Sequence, residues 1–179
     1  MSVLGDYRVV VLGGGDLATG VVARLRRSGL AVAVIELRQP LTVRRTVAVS
    51  SAVSCGTAVV EDLVAVRVDD PSRTWSVASE TRIPVLVEVD PRTLHPDVVV
   101  DARMAKRNLG TSRSDAALVI GLGPGFSAGV DCHAVIETAR GARLGRVIRT
   151  GSAIPNTGVP GEIGGKGATR VLRAPGSGV

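Results

Sequence analysis

Three consecutive glycines follow an apolar run near the start of the sequence, in the stretch YRVVVLGGGDLATG. Gly13, Gly15 and Ala18 fit the spacing G-x-G-x-x-G/A. In that pattern the first glycine permits a tight turn, the second lets the backbone approach a phosphate, and the third residue lets a helix pack closely on a strand. A phosphate would lie at the N terminus of the following helix. The residues predicted to bind it are Gly13, Gly14, Gly15, Asp16, Leu17 and Ala18.

Glu36 is the expected partner of this loop. It stands at the end of the second predicted strand, where a carboxylate accepts hydrogen bonds from the ribose hydroxyls of a nucleotide. The pattern therefore favours an NAD-like dinucleotide, with a glycine turn that only makes a sharp bend as the alternative. Asp16 complicates this interpretation, because a carboxylate in the loop caps helix amides but repels a closely held anion.

A second group of polar residues follows another apolar run, in the stretch VVVDARMAKRNLGTS. Open α/β sheets bind ligands in the crevice beyond their strand ends, and cations with an amide suit a phosphorylated ligand. A solvated basic turn is the alternative interpretation. The candidate residues are Asp101, Arg103, Lys106, Arg107 and Asn108.

A third candidate loop, GLGPGFSAGVD, leaves a predicted strand through Gly121, Gly123 and Gly125 around Pro124. Such a turn presents backbone N–H groups as a nest for an anion, and a purely structural turn is the alternative. If the strands before the second and third loops are parallel neighbours, all three loops open at one sheet edge and share a crevice. Lys106 and Arg107 would then supply charge to a bound phosphate.

Metal binding is not expected from the cysteines and histidines. Cys132 and His133 are adjacent, so on a strand their side chains face opposite ways, and no second pair of ligands stands at metal spacing. His95 is isolated, and Cys55 lies far from Cys132 without a CxxC motif.

Composition narrows the class of protein further. The chain of 179 residues is 45% hydrophobic with a net charge of +6, which is typical of a globular protein with a basic surface. Aromatic residues make up only 2%, so no stacking platform for nucleic acid is expected, and some arginines are interpreted as ligands for anions. No apolar run has the length of a membrane span and no basic leader precedes one, so we expect a cytoplasmic protein without a membrane partner.

Apolar runs and amphipathic stretches alternate along the chain. Strands are predicted at Arg8–Gly14, Leu30–Leu37, within Thr57–Asp70, at Arg82–Asp90, Pro96–Arg103 and Ala116–Gly125; helices are predicted at Leu17–Gly29 and Leu41–Val53. This alternation predicts an α/β protein with a Rossmann-like, doubly wound, mainly parallel sheet and a smaller Gly/Pro-rich C-terminal region.

The predicted division of the chain has three parts. Residues 1–112 form a Rossmann-like nucleotide-binding region, and residues 113–168 form a second α/β region packed on the same sheet. Residues 169–179, in the stretch RVLRAPGSGV, resemble the opening of a β module of the biotinyl/lipoyl-like type. We expect that module to be truncated or missing.

Several long motifs in a fixed order carry a family resemblance. They are GGGDLATGVVARL, QPLTVRRTVAVSSAV, DARMAKRNLGTS, IGLGPGFSAGVDCHAVIETARG, GRVI and NTGVPGEIGG with RVLRAP. Together they resemble the accessory proteins of selenium-dependent molybdenum hydroxylase systems, the YqeB type, and the N-terminal half is similar to the Rossmann domain of XdhC-type maturation factors. The resemblance covers almost the whole chain and implies no established catalytic residue.

The resemblance implies a role in maturing a molybdenum hydroxylase, through its molybdopterin-type cofactor or the selenium or sulfur ligand added to it. The expected partners are the molybdenum hydroxylase apoenzyme and a small phosphorylated ligand. Whether the protein forms a homo-oligomer is left open by the sequence. An NAD(P)-dependent oxidoreductase is the alternative, for which Lys106, Asp101 and His133 are the available proton-transfer groups. A purely structural scaffold for hydroxylase subunits is a third interpretation.

Overall fold

The computed structural model describes residues 6–79, 81–159, 161–171 and 175–176. Its strands are β1 (Arg8–Leu12), β2 (Ala31–Glu36), β3 (Thr57–Val60), β4 (Leu63–Arg67), β5 (Arg82–Val87), β6 (Val98–Asp101), β7 (Leu118–Leu122), β8 (Ser127–Ala128), β9 (Ala134–Ile136), β10 (Val147–Ile148) and β11 (Gly151–Ser152). The α-helices are α1 (Asp16–Arg27), α2 (Ala52–Cys55) and α3 (Thr74–Val77). Short 3-10 turns connect them at Arg45–Val47, Val49–Ser51, Pro71–Arg73, Pro91–Leu94, Arg113–Asp115 and Ala168–Arg170.

Nine strands form one sheet in the order β10-β9-β7-β6-β1-β2-β5-β4-β3. Pairing is parallel from β4 through β9 across the sheet, and β3 and β10 add antiparallel edges. The chain passes from β1 to β2 on one side and later returns to β6 on the other side of β1. The predicted Rossmann-like α/β class with a mainly parallel sheet is thereby confirmed.

The central strands are valine-rich because both of their faces are covered. Val9 and Val11 face a core that contains Ala18 and Val22 of α1, whereas Val10 belongs to the core of the opposite face. All three strand valines are at most 1% exposed. The continuous apolar run therefore predicts the buried central strand correctly.

Helix α1 begins after Gly15 and ends in a left-handed glycine, as its sequence predicts. The Gly29 amide donates to the Arg26 carbonyl (2.8 Å) and the Leu30 amide donates to the Leu25 carbonyl (3.2 Å). These two bonds form a Schellman motif, in which the positive φ of Gly29 (87°) costs little. The helix end thus directs the chain straight into β2.

The predicted helix over Leu41–Val53 is wrong. This segment holds two 3-10 turns followed by the short α2, because its hydrogen bonds go to the glycine loop and α1. The Ser50 amide donates to the Gly14 carbonyl (2.9 Å), and the Val49 amide donates to the Thr19 hydroxyl (3.0 Å). Two amides are therefore withdrawn from any helical ladder.

The region predicted to hold one strand over Thr57–Asp70 contains two, since β3 and β4 form an antiparallel hairpin. At the other end, β7, β9 and β10 of the predicted second region continue the same sheet beyond β6. Among the described residues, no helix has both the length and the apolar character needed to cross a membrane. Much of the predicted β module, residues 172–174 and 177–179, lies outside the described residues.

Candidate functional site

A cavity of about 430 Å³ opens beyond the ends of the neighbouring strands β1 and β6. The chain continues from β1 to β2 in one direction across the sheet and from β6 to β7 in the other. One wall is the glycine loop after β1, another is residues 102–105 after β6, and a third is residues 41–44. Because connections leave β1 and β6 toward opposite sides of the sheet, this is the topological switch point at which open α/β sheets bind ligands. The position of the cavity is thus set by strand order.

Gly13 and Gly14 are required by close backbone contacts inside the fold. Gly13 has a φ of +92°, and a Cβ there would lie 3.1 Å from the Cα of Arg103. A Cβ on Gly14 would lie 3.1 Å from the amide nitrogen of Ser50. These two glycines therefore let the loops after β1, β2 and β6 meet.

Gly15 stands apart from its neighbours, since a Cβ there would meet only Thr42 Oγ1 at 3.7 Å, an ordinary contact. It is the N-cap of α1, and no side chain caps the helix. Among the described residues, no hydrogen bond engages the amides of Gly15, Asp16 or Leu17. Open amides at the positive end of a helix dipole are the groups that bind a phosphate.

The carboxylate of Asp16 is paired with a basic residue from the segment that was predicted to be helical. Arg44 Nη2 lies 2.6 Å from Asp16 Oδ2, and both residues line the cavity. The repulsion that Asp16 would exert on a bound anion is thereby reduced. The loop keeps an acidic residue without presenting a bare negative charge.

Glu36 lies at the end of β2, where it joins the strand end to the glycine loop. Its Oε2 accepts a hydrogen bond from the Gly14 amide (2.7 Å), and its Oε1 accepts one from the Leu37 amide (2.7 Å). Glu36 also lines the cavity. A carboxylate held in this way is fixed in orientation and keeps lone pairs that can accept further hydrogen bonds.

Asp101 and Arg103 form a pair beneath the cavity. Asp101 is 1% exposed and accepts hydrogen bonds from Arg103 Nε (3.0 Å) and from the hydroxyl of Thr111 (2.6 Å). Arg103 Nη2 also donates to the Thr111 hydroxyl (2.8 Å). Asp101 is thus fully committed to holding Arg103, whose side chain lies between this cavity and an adjoining one of about 320 Å³.

The rest of the second polar group is arranged differently. Lys106 and Arg107 are exposed, and among the described residues their side chains form no ion pair. Asn108 is used locally, since its Nδ2 donates to the Thr111 carbonyl and its Oδ1 accepts from the Thr111 amide, both at 2.8 Å. None of these three residues lines either cavity beside Glu36.

The third loop uses its glycines for internal packing. A Cβ on Gly121 would lie 2.5 Å from the ring of Phe126, and one on Gly123 would lie 2.5 Å from Thr138 Oγ1. A Cβ on Gly125 would lie 2.5 Å from the amide nitrogen of Arg107. The Gly123 amide donates to the Ile136 carbonyl (2.8 Å). This amide is therefore occupied within the fold.

The adjacent residues Cys132 and His133 are likewise engaged within the fold, just before β9. Cys132 is buried, and burial raises the pKa of its thiol. The Val119 amide donates to His133 Nδ1 (2.9 Å), so the imidazole replaces a strand partner.

Glu137 is also buried; burial alone would raise the pKa of its carboxyl, but hydrogen bonds from the Ile154, Ala139 and Thr138 amides hold that pKa below its ordinary value.

The structure gathers seven of the predicted residues around one cavity: Gly13, Gly15, Asp16, Leu17, Ala18, Glu36 and Arg103. Sequence reasoning missed Thr42 and Arg44, which line it, and Thr111, which holds Arg103. The hydroxyls and arginines after Pro40 were a signal, because they fit a loop better than a buried helix face. Thr111 carried no comparable signal.

Comparison with known proteins shows similarity to a bacterial protein. The chain is 46% identical over 180 aligned positions, 98% of its length, to a protein of Escherichia coli (strain K12) named "Uncharacterized protein YqeB". The chain spans 33% of the length of that relative. No family model matches the chain, and no solved structure matches it. The resemblance to YqeB-type proteins is thus confirmed at the level of sequence similarity.

Proposed function

We propose that this protein binds a nucleotide-type ligand at the switch-point cavity, with a phosphate at the N terminus of α1 and a ribose at Glu36. One observation carries the proposal: the unbonded amides of Gly15, Asp16 and Leu17 belong to a cavity of about 430 Å³ that the oriented Glu36 carboxylate also lines. Phosphate and ribose groups are recognised by this pair of features in dinucleotide-binding sheets.

The ligand is proposed to be an NAD-like dinucleotide or a molybdopterin-type cofactor. Arg103 supports an anionic ligand, because Asp101 and Thr111 hold its guanidinium at the cavity wall. The long motifs shared with YqeB-type accessory proteins further lead us to propose a role in maturing a selenium-dependent molybdenum hydroxylase in the cytoplasm. In that role the protein holds the cofactor for transfer to the hydroxylase apoenzyme.

The geometry favours this binding role over hydride transfer. Of the three groups available for proton transfer, Asp101 is buried under Arg103 and Thr111, and His133 Nδ1 accepts from a strand amide. Lys106 does not line the cavity. A general acid or base must lie within hydrogen-bond reach of the reacting atom, and none of the three meets that condition at this cavity.

The substitution Gly15→Val tests the binding site. Gly15 has a φ of −64°, which any residue adopts, and open space toward Thr42, so a valine there is compatible with the fold and fills the ligand's position. We expect at least a tenfold loss of affinity for adenine dinucleotides by calorimetry, with little change in melting temperature. Gly20→Ala is the matched control: it lies in the same helix, meets nothing within 4 Å and should stabilise α1 by about 1 kcal/mol.

Equal affinity of wild type and a folded Gly15→Val protein would contradict the proposed site. Mass spectrometry of the small molecule that copurifies with wild type, but not with Gly15→Val, identifies the ligand. The maturation role has its own test, in which a molybdenum hydroxylase is reconstituted with either protein. Cofactor transfer that is equally efficient with Gly15→Val would exclude the role while leaving ligand binding in place.

A further inference from the structure

A third cavity, of about 510 Å³, lies beside the β10 edge of the sheet. Three arginines line it, together with the hydroxyl residues Thr150 and Ser152. The arginines are Arg143, Arg146 and Arg149. The cavity is separate from the switch-point crevice, because β7 and β6 stand between β9 and β1 in the sheet.

The frame of this cavity is held by Glu137. Its amide donates to the Arg146 carbonyl (2.9 Å), and its carbonyl accepts from the Gly145 amide (2.8 Å), which closes the loop between β9 and β10. Its carboxylate accepts from the Ile154 amide (2.8 Å), which fixes the segment after β11 against β9. The cavity walls are therefore joined by hydrogen bonds on two sides.

The charge of the arginines is balanced only in part within the fold, since the charge of Arg143 helps to lower the pKa of the Glu137 carboxyl. Among the described residues, Arg143, Arg146 and Arg149 form no ion pair. The carboxylate of Glu137 is committed to three backbone amides, with both oxygens used. Three guanidinium groups around one concavity repel one another, and a bound anion relieves that repulsion.

We propose that this arginine cavity binds a phosphate-bearing small molecule, distinct from the ligand of the switch-point site. A guanidinium group binds phosphate through two parallel N–H···O hydrogen bonds. Hydroxyl groups such as those of Thr150 and Ser152 can donate further hydrogen bonds to the same phosphate. The volume is within the range of small-molecule pockets. A concave site whose lining contains no aromatic residue favours a small ligand over a nucleic acid, which is bound along an extended surface with stacking side chains.

The test uses pyrophosphate as the probe. All variants are made in the Gly15→Val protein, so that binding at the glycine loop does not contribute to the signal. We expect calorimetry to show binding that weakens with added salt, and Arg146→Ala and Arg149→Ala each to lower the affinity about tenfold. Arg146→Lys should recover part of the affinity, because the charge remains while the paired geometry is lost. Arg73→Ala, which changes an exposed arginine in the turn after β4 that does not line this cavity, should stay within twofold of its parent.

The arginine variants should keep the parent melting temperature, since their side chains are exposed. Unchanged pyrophosphate affinity in folded Arg146→Ala and Arg149→Ala would overturn the proposal. Loss of all pyrophosphate binding on Gly15→Val alone would also overturn it, because the probe would then belong to the glycine loop. A DNA duplex that binds more tightly than pyrophosphate through the same arginines would assign the surface to nucleic acid instead.

Discussion

The loop after β1 and the loop after β7 both leave a buried strand through glycines, and each lies near a glutamate at the end of a neighbouring strand. In the first loop, Glu36 accepts a hydrogen bond from the Gly14 amide, and among the described residues the next three amides have no hydrogen-bond partner. In the second loop, the Gly123 amide donates to the Ile136 carbonyl, and the Glu137 carboxylate accepts hydrogen bonds from three backbone amides. The same arrangement thus leaves backbone amides open in one place and serves internal packing in the other.

The difference lies in what occupies the space that a glycine side chain would need. At Gly15 that space is open except for Thr42 Oγ1 at 3.7 Å, whereas at Gly125 it holds the backbone of Arg107. In both loops the missing Cβ leaves room for another group beside the glycine. A ligand can enter only where the protein itself does not already fill that room.

The largest expected effect is that of Gly125→Ala. The new Cβ would lie 2.5 Å from the Arg107 amide nitrogen in a backbone with a φ of +110°, so overpacking adds to strain. We expect the free energy of unfolding to fall by about 3–4 kcal/mol in urea denaturation. Gly129→Ala is the control, with a φ of +93° and nothing within 4 Å, and should cost about 1–2 kcal/mol. Equal losses in the two variants would show that the Arg107 contact is unimportant.

Glu137→Gln is expected to have the next largest effect. We expect it to lower the free energy of unfolding by about 2 kcal/mol at neutral pH, because the amide nitrogen of the new side chain would face a backbone N–H. The folded protein holds the pKa of Glu137 below its ordinary value of 4.5, so the ionised carboxylate stabilises the fold above that pH. That stabilisation is lost as the pH falls through the folded pKa. Urea denaturation of both proteins from pH 7 to pH 3 should show the difference shrinking below pH 4.5; a constant difference would disprove the charge effect.

Glu36 predicts a preference for NAD over NADP, because its carboxylate repels a 2′-phosphate. Arg38 could reverse the preference, but its Nε lies 3.5 Å from Glu88 Oε2, so part of its charge is already balanced. We expect NAD to bind about tenfold more tightly by calorimetry, which corresponds to 1.4 kcal/mol, and Glu36→Gln to reduce that ratio. Tighter binding of NADP to wild type would show that Arg38 dominates.

The smallest effect is expected for Arg107→Ala. The sequence pattern alone predicts a tenfold or larger loss of affinity, but the exposed side chain does not line the cavity, and we now expect less than about threefold. Parallel titrations of Arg107→Ala and Lys106→Ala with the dinucleotide measure this. A tenfold loss in a stable variant would mean that the turn after β6 closes over the ligand and that the two loop regions form one site.

Much of the first region could be predicted from the sequence because its signals are local. The valine run predicts β1, the glycine spacing predicts the turn into α1, and Gly29 predicts where the helix ends. Each of these depends on backbone preferences or on burial of a continuous stretch. The segment 41–53 was mispredicted because its amides bond to Gly14 and Thr19, which are distant in sequence.

By itself, the sequence determined the α/β class, the order of the first elements along the chain and seven of the residues around the switch-point cavity, since periodicity and glycine spacing act over a few residues. Only the tertiary structure decided which glycines leave amides open and which make room for Phe126, Thr138 or Arg107. It also decided that Asp101 holds Arg103 and that Arg44 pairs with Asp16. These outcomes depend on contacts between residues far apart in the chain, and such contacts exist only once the sheet has assembled.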